Sequence, residues 1–162
     1  EAVMVLNVGI LSNVCQRLDR VNGMKWISAY VVAGLVFGAL DLLWLGKVGR
    51  PLYDARLGDL LAPHANVPAA LLFYAIYLFG LTWFVLAPAL ESGSSGKAAL
   101  GGFLFGLVAY ATWNLTNLAV LKGFPASIVP IDMAWGSLAT MATSVLTVLL
   151  VRALPWVGTP AP

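Results

Sequence analysis

The chain has 162 residues, of which 60% are hydrophobic and 10% charged, and a mean hydropathy of +0.90. A soluble domain carries about 25% charged residues, so a fold this poor in charge cannot cover its surface in water, and the bilayer is its natural solvent. The formal charge of +2, with Lys and Arg placed singly in the connections, gives no basic stripe and excludes nucleic acid as a partner. One cysteine and one histidine leave no intrachain disulfide and no thiolate–imidazole metal site.

Residues 1–23 differ from the rest of the chain. Ala2–Val14 is apolar over about 13 residues, roughly 20 Å as a helix, and too short for a hydrocarbon core of about 30 Å. It has no basic n-region and no small-residue cleavage site, whereas Met24-Lys25-Trp26 reads as a natural start. Residues 1–23 are therefore read as a non-native or interfacial extension, with Cys15 an inert thiol. Residues 24–154 are read as a four-span domain and 155–162 as a disordered tail.

The first span is expected from Trp26 to Gly46, with Asp41 inside it and Trp44 near its exit. Gly46–Asn66 reads as a polar connection in which Pro51 and Pro63 bracket a short amphipathic helix, Tyr53–Leu61, on the membrane surface. The second span runs from Val67 to Ala87 and is ended by Pro88. It places Tyr74 and Tyr77 near one face, and the flexible turn-formers Glu91–Lys97 come after it. The third, Ala98–Leu121, carries Gly102 and Gly106 at a spacing that lets another helix come close, and Asn114 and Asn117 one turn apart. The fourth, Ile128–Val151, holds Asp132 in its first turns, where the helix dipole favours a carboxylate, and Trp135 a turn later. Arg17, Arg20, Lys25, Lys97 and Arg152 fall on one side of the membrane, and Lys47, Arg50, Arg56 and Lys122 on the other. Without residues 1–23 the bias reverses, so the positive-inside rule does not set the orientation.

The predicted architecture is an all-α integral membrane four-helix bundle, antiparallel and up-down, with a short amphipathic loop helix. That topology brings Asp41, Asn114, Asn117 and Asp132 within about two turns of one rim, beside Tyr74 and Tyr77 and among Trp44, Trp113 and Trp135. Three readings of this layer stand: a polar clasp between helices, a functional pocket, or contact of the two aspartates with lipid headgroups. As a pocket, its ligand-binding candidates are Asp41, Tyr74, Tyr77, Asn114, Asn117, Asp132 and Trp135. Two carboxylates can share a proton, bind a cation, or divide acid and base roles. No catalytic residue, cofactor or resident metal is assigned, and no hydrolase, zinc-protease or phosphate-loop signature is present.

Six short motifs occur in order: D-x-x-W-L at Asp41–Leu45, R-P-L-Y at Arg50–Tyr53, F-Y-x-x-Y at Phe73–Tyr77, P-A-L at Pro88–Leu90, N-L-T-N-L-A-x-L-K-G at Asn114–Gly123 and D-x-x-W-G at Asp132–Gly136. Together they resemble a family of bacterial integral membrane proteins bearing the domain of unknown function numbered twenty-one seventy-seven, over about Lys25–Arg152. The resemblance implies four spans and brings no activity or cofactor. The family often has Asp where this chain has Asn114, which puts in doubt any mechanism that needs an acid there.

The expected function is binding or transport of a proton, cation or small solute by the polar layer. The alternatives are an accessory subunit packed against larger membrane partners, and a membrane-embedded lipid-modifying enzyme. The residues define no reaction, and the balance leans away from an enzyme. Membrane lipids are the expected surroundings, a homo-oligomer or larger complex the expected assembly, and the cell inner membrane, crossed several times, the expected location.

Overall fold

A computed structural model describes residues 2–154, with the side chains of residues 2–22 and of Asp59 outside the description. The expectation for Cys15 concerns a side chain outside the description, and the 155–162 tail lies outside the described residues. Residues 2–22 are described only as helical backbone running into the first span. The long apolar runs become helices because hydrocarbon offers no partner for backbone N–H and C=O groups, which must be satisfied within the segment.

Helix α1, Ala2–Trp44, passes through one wide π-helical turn, Leu45–Gly49, into α2, Arg50–Leu57. The polar connection expected from Gly46 thus begins only at Gly58. Proline has no N–H, and its ring collides with the carbonyl four residues back. Here the turn before Pro51 is widened by one residue, with the Arg50 N–H bonded to Leu45 O, and the helix continues through the proline. The short loop helix is present as α2, starting three residues earlier than expected and joined to α1. Gly58, at φ 49°, ends it.

The same device recurs in the second span. Helix α3, Val67–Leu81, enters a π-helical turn at Thr82–Leu86, and the Ala87 N–H bonds Thr82 O just before Pro88. The span therefore does not end at Pro88 as expected but continues as α4, Ala87–Glu91. Asn66 caps α3 by accepting from the Ala69 N–H at 3.1 Å, and Ser94 caps α5, Ser95–Val120, by accepting from the Lys97 N–H at 3.2 Å. Most of the expected flexible turn is thus taken up by helix ends. Helix α6, Val129–Ala153, carries Pro130 in its first turn, where a missing N–H costs nothing.

Four helical segments are long and apolar enough to cross a membrane: Gly23–Leu57, Val67–Glu91, Ser95–Val120 and Val129–Ala153. Contacts between α5 and α6 recede from their hairpin in step. Asn114 meets Asp132, Gly106 meets Thr140, and Gly102 meets Thr140 and Ser144, so the pair is antiparallel. A Cβ on Gly106 would strike the Gly136 carbonyl, and one on Gly102 the Ser144 hydroxyl. The small-residue spacing read from the sequence is thus used inside the chain, to bring α5 onto α6. Helix α6 is the most buried span, and Ala33 and Phe37 of α1, Leu81 of α3 and Val148 of α6 are core residues.

Candidate functional site

The polar cluster is built around the first turn of α6. Asp132 is 6% exposed and accepts two hydrogen bonds, one on each oxygen. The Tyr53 hydroxyl donates to Oδ1 at 2.5 Å, and Asn114 Nδ2 donates to Oδ2 at 2.8 Å. Asn114 is fully buried, and its amide also donates to the Tyr110 carbonyl one turn back.

Tyr53 reaches Asp132 because the helix does not stop at Gly46. The π-helical turn carries the chain on, and Gly49 at its end lets Trp44 and Tyr53 close over it. A Cβ there would lie 2.7 Å from Trp44 Nε1 and 3.2 Å from the Tyr53 ring. Trp44 stacks on Trp135 with centroids 4.4 Å apart and planes 9° apart, so the π-helical turn and α6 are held by rings as well as by hydrogen bonds.

Asp41 forms a second, separate clasp: it accepts from the Tyr74 hydroxyl and so ties α1 to α3. Among the described residues, Asp41 and Asp132 share no hydrogen-bond partner. Tyr77 reaches Thr140 Oγ1 at 2.6 Å. Because that hydroxyl gives its one proton to the Gly136 carbonyl, Tyr77 is the donor. No Lys or Arg among the described residues pairs with either aspartate. Arg56 instead bonds Ser127, and Arg152 the Gly93 carbonyl.

Beside Asp132 lies a cavity of about 260 Å³, lined by Tyr53, Phe73, Ala109, Tyr110, Trp113 and Asp132. It lies where the first turns of α3 are exposed. From Tyr77 onward α3 meets α5, with Tyr77 and Phe105 ring centroids 5.3 Å apart and Phe105 also against Gly80. Before that, every residue from Val67 to Phe73 is exposed. Phe73 is 48% and Trp113 62% exposed, so the cavity reaches the surface beside these residues of α3 and α5.

Of the residues singled out from the sequence, Asp132 and Asn114 meet directly, Asp41 pairs with Tyr74, and Tyr77 lies deeper, on Thr140. Of the seven ligand-binding candidates only Asp132 lines the cavity, together with Trp113, one of the tryptophans placed around the layer. Asn117 Nδ2, Trp135 Nε1 and Asn114 Oδ1 are buried without a partner. Three residues of the cluster fall outside the sequence candidates. Tyr53 belongs to the expected connection, although R-P-L-Y is one of the family motifs. Tyr110 lies on Gly136, whose Cβ would fall on its ring, and Thr140 resembles any small residue at a helix interface. The glycine of D-x-x-W-G is the one signal in the sequence for the Tyr110 contact.

Four apolar spans around a polar cluster at one rim define a multi-pass integral membrane protein. The chain belongs to the family described as predicted membrane protein (DUF2177), whose match covers residues 26–149 and to which no function is assigned. Neither the curated proteins nor the solved structures give a match.

Proposed function

We propose that this protein binds, and as an oligomer moves, a proton, a cation or a small positively charged solute through the polar layer at one rim of a cell inner membrane. The observation that supports it best is the charge balance. Two carboxylates sit in helices that cross hydrocarbon, with tyrosine and asparagine donors and no cationic side chain as partner among the described residues. An ionised group in the membrane is costly and is found paired or serving a pathway. Here a cavity stands open beside one of the two.

A packing role is favoured by a different observation, the occupation of each Asp132 oxygen by a donor from another helix or turn. A carboxylate offers about four acceptor sites, so these two bonds leave room for a ligand while holding the group in place.

The test uses the full chain in liposomes loaded with a pH-reporting dye, under a K⁺ diffusion potential and with methylammonium as a second probe. Proton or methylammonium flux above that of protein-free vesicles is expected, falling at least tenfold in Asp132→Asn and severalfold in Asp41→Asn. Flux equal to wild type in both variants overturns the proposal.

A further inference from the structure

We infer that the ligand of this cavity is an amphiphile with an ammonium head and an alkyl chain, taken up sideways from the bilayer. The inference rests on the proposed cation-binding role and adds the chemistry of the head and the route of entry.

The lining argues for the head. Four of its six residues are aromatic, Tyr53, Phe73, Tyr110 and Trp113, and a fifth is the carboxylate of Asp132. Aromatic rings attract a cation within about 6 Å of their centroids, and recognition of quaternary ammonium groups uses such rings. Hard metal ions instead need six or more oxygen ligands, and this wall offers one carboxylate, already accepting two hydrogen bonds, and two phenols. A weakly hydrated organic cation gives up its water at little cost and gains the rings and the charge together. An anionic head would meet Asp132, with no Lys or Arg in the wall.

Size and exposure argue for the chain and the route. An apolar cavity of about 150 Å³ holds benzene, and drug-sized ligands need about 300–1,000 Å³. A cavity of about 260 Å³ therefore takes a head group, and leaves the chain outside. Outside, on the open side, are Phe73, Trp113 and the exposed first turns of α3. In a membrane these surfaces face hydrocarbon, which is where an alkyl chain already lies.

The test places the full chain in nanodiscs of an uncharged galactolipid, which carries no ammonium group. Three ligands with the same chain are compared, octyltrimethylammonium, octanol and octyl sulfate, each read as saturable quenching of tryptophan emission above protein-free discs. The ammonium compound is expected to bind at least tenfold more tightly than the other two, and more tightly than chain-less tetramethylammonium. The preference is lost in Asp132→Asn. It falls severalfold in Phe73→Leu, a change at an exposed position of the wall that keeps both the carboxylate and the Trp113 reporter. Phosphatidylethanolamine or phosphatidylcholine doped into the discs separates the sources: competition assigns the head to a resident lipid, and no competition assigns it to a free amphiphile. Binding that ignores the head group, alongside flux still lost in Asp132→Asn, overturns this inference and leaves the cation-binding role standing. Head-independent binding with flux unchanged in both Asp132→Asn and Asp41→Asn overturns both.

Discussion

Asn114 and Asp132, eighteen positions apart in the chain, are joined at 2.8 Å across the α5–α6 hairpin, and both are buried. The bond closes the hairpin at one rim, while the Gly102 and Gly106 contacts close it in the middle of the spans. Hydrogen bonds between membrane helices average about 0.6 kcal/mol and reach about 1.7, because the unfolded chain in lipid also finds partners. A double-mutant cycle of Asn114→Leu with Asp132→Leu, read by unfolding in mixed detergent, should give a coupling of about 0.6–1.7 kcal/mol. A coupling of zero would show that the two side chains are neighbours without mutual stabilisation.

Tyr53 and Tyr74 each donate to an aspartate, and the two bonds differ in burial. Tyr53→Phe strips a donor from Asp132, a buried acceptor, and should lower stability by about 1–3 kcal/mol. Tyr74→Phe acts on Asp41, which is half-buried, and should cost about 0.5–1.5 kcal/mol. Thermal unfolding in detergent checks the order. An equal or reversed order would mean that Tyr53 does not hold α2 onto α6.

Gly136 has the Tyr110 ring where a Cβ would stand. Gly136→Ala must push that ring aside, displace a wall of the cavity and lose about 1–3 kcal/mol. Gly38 offers a control within a helix, since nothing lies within 4 Å of an added Cβ there. Gly38→Ala should be neutral, or stabilising by at most about 1 kcal/mol through helix propensity. Melting temperatures of the two variants against wild type decide it, and a Gly136→Ala protein as stable as Gly38→Ala would contradict the Tyr110–Gly136 packing.

The four spans and the shared rim are legible in the sequence because lengths of apolar sequence and the alternation of direction are properties of the chain itself. Asn114 and Asp132 can be placed at one depth by counting turns from the ends of their spans. Tyr53 cannot, because Gly46 and Pro51 read as helix breakers. What keeps the helix going is an Arg50-to-Leu45 backbone bond one residue longer than usual, and composition does not reveal it. Pro88 misleads in the same way. The cavity is hidden for another reason. It is walled by residues of α2, α3, α5 and α6, and no periodicity encodes a gap between helices. Asp41 shows the converse: its depth is readable, but its partner, Tyr74 rather than Asn114 or Asp132, is fixed by which face of α1 turns toward α3.

Ala109 lines the cavity with a small side chain and no polar atom, so a reactive thiol placed there reports the field inside. Ala109→Cys, in a chain whose Cys15 is changed to Ser, is treated with two methanethiosulfonates of similar size, one bearing a trimethylammonium group and the other a sulfonate. A cavity that accepts positive charge predicts a cationic-to-anionic rate ratio at least tenfold above that of a free thiol, collapsing toward the free-thiol ratio when Asp132→Asn is added. A ratio no higher than that of a free thiol, or one untouched by Asp132→Asn, would contradict it.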